Sequence, residues 1–472
     1  VLDLLREALA AVIDGTEARS GPCPSFEAAE LAQRAAAAFE PILPEVGSGT
    51  KALPRMARTL AEGAADPAMP WCTGHLHTPP LAVAVAADTV SGLLNASVDS
   101  WDQAPCASVI EGQLTEALAR MVFPQESAPG AVMTTGGTDS TMTALLLARE
   151  HVLTVGDGPP QVVCGANAHH SVARAAWMLG LRPPVVVRCV RGRLDISHLA
   201  EVLKSLKSAV VVATAGTTDA GSLDALREVA ELTRSHSAWL HVDAAYGGPA
   251  LFSDDLKGRL SGVEQADTVS FDLHKFGWQP LAAGVLAARK ATLFDPLAIR
   301  AEYLNADDDT AAGLPDLLRR SWRTSRPADA FKVAVTLQAL GRKGMAALVE
   351  QCCHTATEVA EYVERHPTLR LWEQPELSTV LFRPRACDRP GVDGDQVLAA
   401  LRRQLLTGTA VLGRARMPDR DGRERIWLKL TILNPHTTLA DYKELFDLVA
   451  TSASEQARSV GSPSSRGATN DD

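Results

Sequence analysis

WLHVDAAYGG, residues 239–248, is an apolar run that ends in a carboxylate and then in small residues and a glycine pair. Such a run suits a strand covered on both faces, as in a parallel sheet, so Asp243 is expected at the end of a central strand. The small residues after it leave room for a flat ligand. The same order recurs on the amino-terminal side. AVMTT (131–135) precedes STMTALLLARE (140–150), PQVVCG (160–165) precedes HSVARAAWML (170–179), and AVVVATAG (209–216) precedes LDALREVAEL (223–232). Short β-branched runs alternating with helical runs predict an α/β domain. Its mainly parallel central sheet is covered by helices, and its functional groups gather at the carboxyl ends of the strands.

This large domain is expected over 71–340. Residues 1–70 are Ala-rich and helical in pattern, broken by Pro41, Pro44 and Gly47, and read as a helical N-terminal arm. The strand-like pieces STVLFRP (378–384) and IWLKLTIL (426–433), with a helical run before them and another after, read as a smaller α+β C-terminal domain over 341–455. The polar, Ser/Gly-rich stretch 456–472 is expected to be a disordered tail.

A formal charge of -10 over 472 residues argues against a nucleic-acid or anionic-membrane surface as the main partner, since both need clustered Lys and Arg. A small molecule is the expected partner. VLDLLREALAAVIDG (1–15) is amphipathic and acidic early, which suits a packing helix and not a secretion signal. Nothing approaches the roughly 20 apolar residues of a membrane span. The eight cysteines show no CxxC pair and read as reduced thiols in a cytoplasmic protein.

Four segments carry chemistry. In SFDLHKFGWQP (270–280), Lys275 lies in an apolar and aromatic stretch where a free ammonium is costly. It is either a snorkelling lysine at a strand end or an amine that condenses with an aldehyde. Asp243 favours the second reading, because a carboxylate there can keep a pyridine nitrogen protonated, which makes pyridoxal phosphate (PLP) an electron sink. In TTGGTDS (134–140), Gly136, Gly137 and Thr138 open a helix and offer amides to a phosphate, or else form a simple turn and cap. It is neither a Walker loop nor a GxGxxG fingerprint. In ANAHHSVARAA (166–176), a histidine can stack on an aromatic cofactor or move a proton. The histidines show no zinc-ligand spacing, so no metal is expected.

Taken in order, TTGGTDS, NAHHSV, ATAGTTDAGSLD, WLHVDAAYGG and SFDLHKFGWQP closely resemble the group II PLP-dependent amino-acid decarboxylases, of fold type I. Further segments, GHLHTPPLAVAVAADTV (74–90), LLNASVDSWDQAPCASVIEGQL (93–114), RTSRPADAFKVAVTLQALGRKG (323–344) and WLKLTILNPHTT (427–438), look most like the bacterial branch acting on 2,4-diaminobutyrate, lysine and related amino acids for siderophores, polyamines and other secondary metabolites.

The resemblance implies decarboxylation of an L-amino acid to an amine, and a homodimer with active sites at its interface is expected, partly because the helical amino-terminal arm needs a surface to cover. It assigns Lys275 as the Schiff-base lysine, Asp243 as partner of the ring nitrogen and His169 as the stacking ring. Gly136, Gly137 and Thr138 cradle the phosphate, Thr214 and Ala245 line the ring, and His274 sits beside the phosphate. His77, Thr78, Trp101 and Asp102 fall on substrate-facing loops.

Two departures accompany it. Leu314 stands where relatives of this branch show a loop tyrosine thought to deliver the final proton, so Tyr303, His169 or a partner-subunit group must act instead. Otherwise oxygen intercepts the intermediate and an aldehyde results. Pro327 replaces the second residue of an Arg-Arg pair after Arg326. A non-catalytic regulator with this fold is the remaining alternative, against which Lys275, Asp243 and His169 all speak.

Overall fold

The computed structural model describes residues 1–155, 158–298, 304, 307–314 and 317–461. The chain divides into two compact units. One comprises Val1–Pro79, Thr355–Gln374 and the residues from Thr379 onward; the other comprises Pro80–His354 with Pro375–Ser378.

The first unit begins with α1 (Leu2–Arg19), α2 (Ala28–Phe39) and α3 (Ala52–Glu62). Arg19, buried at the end of α1, donates to the Ala61 carbonyl at 3.0 Å and pairs with Asp66 at 2.6 Å, which fixes α1 against α3.

The second unit holds α4 (Ala82–Leu94), α5 (Pro105–Val122), β1 (Gly130–Thr134), α6 (Gly137–Thr154), β2 (Gln161–Gly165), α7 (Ser171–Met178) and β3 (Val185–Val187). A small ribbon, β4 (Cys189–Val190) with β5 (Arg193–Leu194), leads to α8 (Ile196–Lys204), β6 (Ala209–Thr214), α9 (Leu226–Ser235) and β7 (Trp239–Asp243). Then come β8 (Thr268–Asp272), α10 (Leu273–Phe276), β9 (Gly284–Ala288) and α11 (Asp307–Ala311).

The seven strands of its sheet run in the order β1-β9-β8-β7-β6-β2-β3. Only β9 is antiparallel to its neighbours. Every residue of β1, β2, β6, β7, β8 and β9 is buried, the signature of strands covered on both faces. α6 covers one face: Leu145 and Ala148 pack with Val162, Val210 and Val212, while Ala144 and Leu147 pack with Val132 and Leu286. This is the α/β architecture expected of fold type I.

α12 (Asp329–Arg365) breaks helical geometry at Gly341, whose φ is 67°, and its residues fall in both units. The first unit resumes with β10 (Leu369–Leu371), β11 (Thr379–Pro384), α13 (Gly394–Leu405), β12 (Gly413–Pro418), β13 (Glu424–Thr431) and α14 (Ala440–Gly461). Its four strands run β10-β11-β13-β12, all antiparallel.

This division differs from the sequence-based one. The amino-terminal residues form a single unit with the carboxyl-terminal ones, because Thr73 donates to Val411 and accepts from Thr431, both at 2.9 Å, and the Trp71 indole donates to the Asp441 carbonyl at 2.7 Å. Residues 456–461, expected in the tail, continue α14; 462–472 lie outside the described residues. Among the described residues no helix is long and apolar enough to cross a membrane.

Candidate active site

Parallel strands bring their carboxyl ends to one edge of the sheet, and the register makes Thr214 of β6 a neighbour of Asp243 of β7, itself opposite Ser270 of β8. Three polar groups thus converge from separate parts of the chain. Asp243 is 6% exposed; its Oδ1 accepts from the Ala245 amide at 3.1 Å and from the Ser270 hydroxyl at 3.4 Å. Thr214 gives its amide to Asp224 at 2.8 Å, yet its buried Oγ1 has no protein partner.

Lys275 lies on α10, the turn that follows β8. Its Nζ is 2.9 Å from Oδ2 of Asp272, the last residue of that strand. The side chain is 22% exposed, so the amine is tethered inside and does not snorkel to water. Asp272 is 1% exposed and its Oδ1 has no hydrogen-bond partner. Sequence reading passed over Asp272, although its position three residues before Lys275 gives the spacing at which helical neighbours meet.

Gly136 and Gly137 lie where β1 gives way to α6. A Cβ on Gly136 would sit 2.8 Å from Cε1 of His274, and one on Gly137 would sit 2.9 Å from Cβ of Ala245. The backbone there approaches its neighbours as only glycine allows, leaving the first amides of α6 uncovered by side chains. Thr138 is exposed on the first turn. His274 accepts the Ala283 amide at Nδ1, 3.2 Å, so its neutral ring carries the proton on Nε2, 3.6 Å from Asp272. Burial lowers its pKa, against the pull of Asp272.

His169 follows β2 and is only half-buried. Its Nδ1 accepts the Ser171 amide at 3.3 Å and faces the Ser171 hydroxyl at 2.9 Å. Burial lowers its pKa, and it lies within electrostatic reach of Asp243, Lys275 and Asp272. Asp224, also unnamed by sequence reading, secures this corner: it accepts from the Thr214 amide at 2.8 Å, the Leu194 amide at 2.8 Å and the Asn167 side chain at 2.9 Å.

The other expected residues lie on separate segments of the chain. Asp102 is exposed and accepts from Ser100 at 2.6 Å, beside half-buried Trp101. Leu314 is 38% exposed beyond α11, and Tyr303 lies outside the described residues. His77 and Thr78 belong to the first unit, where His77 is exposed and the buried Thr78 hydroxyl donates to Leu433 at 3.4 Å. Arg326 is buried against Glu111 at 2.8 Å. No group of three His, Cys, Asp or Glu able to hold a metal occurs among the described residues.

A lysine amine, a strand-end carboxylate, a half-buried imidazole, an uncovered helix start, and two buried oxygens without partners suit an aromatic phosphate ester that condenses with an amine. They define a PLP enzyme on a mainly parallel α/β sheet.

The comparisons sharpen this. A family model described as "Pyridoxal-dependent decarboxylase conserved domain" matches residues 50–385, and the chain belongs to that family. It is 38% identical to an L-2,4-diaminobutyrate decarboxylase of Rhizobium meliloti, over 88% of this chain and 84% of the relative. It is 30% identical to one of Acinetobacter baumannii, over 89% and 87%. The solved glutamate decarboxylase domain of a diaminobutyrate-pyruvate transaminase and L-2,4-diaminobutyrate decarboxylase from Vibrio parahaemolyticus superposes with a TM-score of 0.82 at 29% identity, covering 96% of this chain and 95% of that one. The protein is a PLP-dependent amino-acid decarboxylase.

Proposed function

We propose that the chain decarboxylates L-2,4-diaminobutyrate to 1,3-diaminopropane, with Lys275 carrying PLP, Asp243 pairing with its ring nitrogen and His169 stacking on its face. The likeness to two L-2,4-diaminobutyrate decarboxylases over most of their length carries the substrate assignment.

Bound PLP supplies an electron sink for the pair left on the α-carbon as carbon dioxide departs. Asp243, with Oδ1 fixed by Ala245 and Ser270, holds a proton on the ring nitrogen. Asp272 holds the Lys275 ammonium whenever that amine is free of the cofactor. The amides of Gly137 and Thr138, at the positive end of α6, bind the phosphate with Gly136 as the close-approach residue, and His274 keeps a proton on Nε2 beside them. Thr214 and Ala245 line the ring, Thr214 through its unpartnered hydroxyl. Asp102 is our candidate to receive the distal ammonium of the substrate, with Trp101 beside it. His169 is our candidate for returning a proton to the α-carbon, because Leu314 has no ionisable group.

Carbon dioxide release from a panel of 2,4-diaminobutyrate, ornithine, lysine, valine, glutamate and tyrosine tests the assignment. The highest kcat/KM is expected for 2,4-diaminobutyrate, with 1,3-diaminopropane as product. A higher kcat/KM for any other member would overturn the substrate assignment without touching the cofactor chemistry.

The enzyme acts as a cytoplasmic homodimer supplying a diamine to secondary metabolism. Leu2, Leu9, Val12 and Ile13 of α1 are exposed in the single chain and offer an apolar surface for a second copy. All eight cysteines are free thiols, which suits a reducing compartment. Light scattering of the active enzyme should give twice the chain mass; an active monomer would refute the dimer.

A further inference from the structure

A histidine in the interior of a parallel sheet calls for an explanation, because valine or isoleucine would fill the place without a polar group to satisfy. His241 is such a residue. It lies two positions before Asp243 on β7 and so shares its face of the strand, with no solvent exposure. On β8 the register partner of His241 is Thr268 and that of Asp243 is Ser270. Their side chains interleave. Thr268 Oγ1 is 3.0 Å from His241 Nδ1, Ser270 Oγ is 3.5 Å from His241 Nε2, and Ser270 Oγ is 3.4 Å from Asp243 Oδ1.

For a neutral imidazole, only one arrangement of protons makes all three of these side-chain contacts hydrogen bonds. An ionised carboxylate accepts and never donates, so the Ser270 hydroxyl proton points to Asp243. The Ser270 oxygen must then accept from His241, which requires the proton on Nε2. Nδ1, left bare, accepts from the Thr268 hydroxyl. Every donor in the column then points toward Asp243, and such a chain fixes the direction from which the carboxylate is held.

We infer that His241 is a positioning residue for the reaction: as the neutral Nε2–H tautomer it orients Ser270, which in turn holds Asp243 aimed at the cofactor's ring nitrogen. This rests on the proposed pairing of Asp243 with that nitrogen. Burial keeps the imidazole neutral, drawing its pKa down to about 4 although the Asp243 charge and the Thr268 backbone, which competes with Ser270 for a ring N–H, pull the other way.

The test combines a spectrum with binding. Nitrogen-15 NMR of histidine-labelled full chain at neutral pH, with the His241 signals assigned by their loss in His241→Gln, should report Nε2–H; a charged or Nδ1-protonated ring overturns the inference. Retention of PLP by the holoenzyme, measured by equilibrium dialysis, should weaken about ten-fold in Ser270→Ala and in His241→Leu, as loss of one hydrogen bond to a charged group implies. The double variant should lose little more than either alone, whereas additive losses would show two unconnected residues and refute the relay. His241→Gln, which can place an amide N–H near the Nε2 position, should recover most of the loss; failure to do so counts against a directed bond. Asp243→Ala separates the premises. If it leaves PLP retention and the visible band of the lysine-bound cofactor unchanged, the Asp243 assignment falls and the relay with it. If Asp243→Ala weakens retention while Ser270→Ala does not, the relay alone falls.

Discussion

Gly136 has φ 142° and ψ -177°, a backbone region essentially reserved for glycine. Gly136→Ala therefore meets two obstacles. An alanine held in that region costs about 1–3 kcal/mol. Its Cβ would also press to 2.8 Å on Cε1 of His274, well inside contact distance. That ring cannot swing away freely, since Nδ1 accepts the Ala283 amide, a bond worth about 1 kcal/mol. The sum is about 2–4 kcal/mol. If the loop relaxes in the free chain and must be restored when the phosphate binds, the cost appears as about 30- to 1,000-fold weaker PLP affinity. If it cannot relax, the cost appears as a lower melting temperature of the PLP-free chain. Equilibrium dialysis and melts with and without PLP separate the two. Native affinity together with native melting would refute the reasoning, because the strain would then have no outlet.

Lys275→Ala should abolish the visible band of the lysine-bound cofactor and lower kcat at least a thousand-fold, by about 4 kcal/mol or more; a persisting band would remove Lys275 from its role. Leu314→Tyr should leave amine and carbon dioxide in equal yield, as in the native chain; hydrogen peroxide in step with carbon dioxide from the native enzyme would instead identify an aldehyde product. His241, with its folded pKa near 4 against an ordinary 6.5, binds fewer protons folded than unfolded between those values. Its contribution is complete above pH 6.5 and is lost as pH falls toward 4, by about 3 kcal/mol, so denaturant melts of His241→Gln should depend less on pH across that window. Asp224→Asn turns one acceptor oxygen toward N–H donors as an amide, which should cost about 1–3 kcal/mol; unchanged stability and PLP affinity would count against Asp224 as the latch of this corner.

Much of the α/β unit was legible in the sequence because buried parallel strands announce themselves as unbroken apolar runs, as AVVVATAG and WLHVDAAYGG do. The strand-end position of Asp243 follows from that pattern alone. Asp272 did not stand out, because nothing in SFDLHKF shows that its carboxylate turns toward Lys275 and not toward solvent; the backbone turn at α10 decides it. Asp224 was equally silent, as its partners Thr214, Leu194 and Asn167 come from three separated segments. The grouping of the chain's two ends into one compact unit was not legible for a similar reason: Trp71 and Thr73 are joined to Asp441, Val411 and Thr431 by hydrogen bonds that no local periodicity records.

Three carboxylates stand near one another at this sheet edge, and their bonding explains how they coexist. Asp224 is spent on two amides and the Asn167 side chain, although burial still raises its pKa, so it acts as a latch between the end of β6 and the turn before His169. Asp272 is matched by the Lys275 ammonium at 2.9 Å. Among the described residues Asp243, like Asp224, has no cation among its hydrogen-bond partners, but it has fewer donors, only the Ala245 amide and the Ser270 hydroxyl. A carboxylate 6% exposed and stabilised by dipoles alone is poised for a cation it does not yet have. The protonated ring nitrogen of PLP would be such a cation, which is the pairing proposed for Asp243.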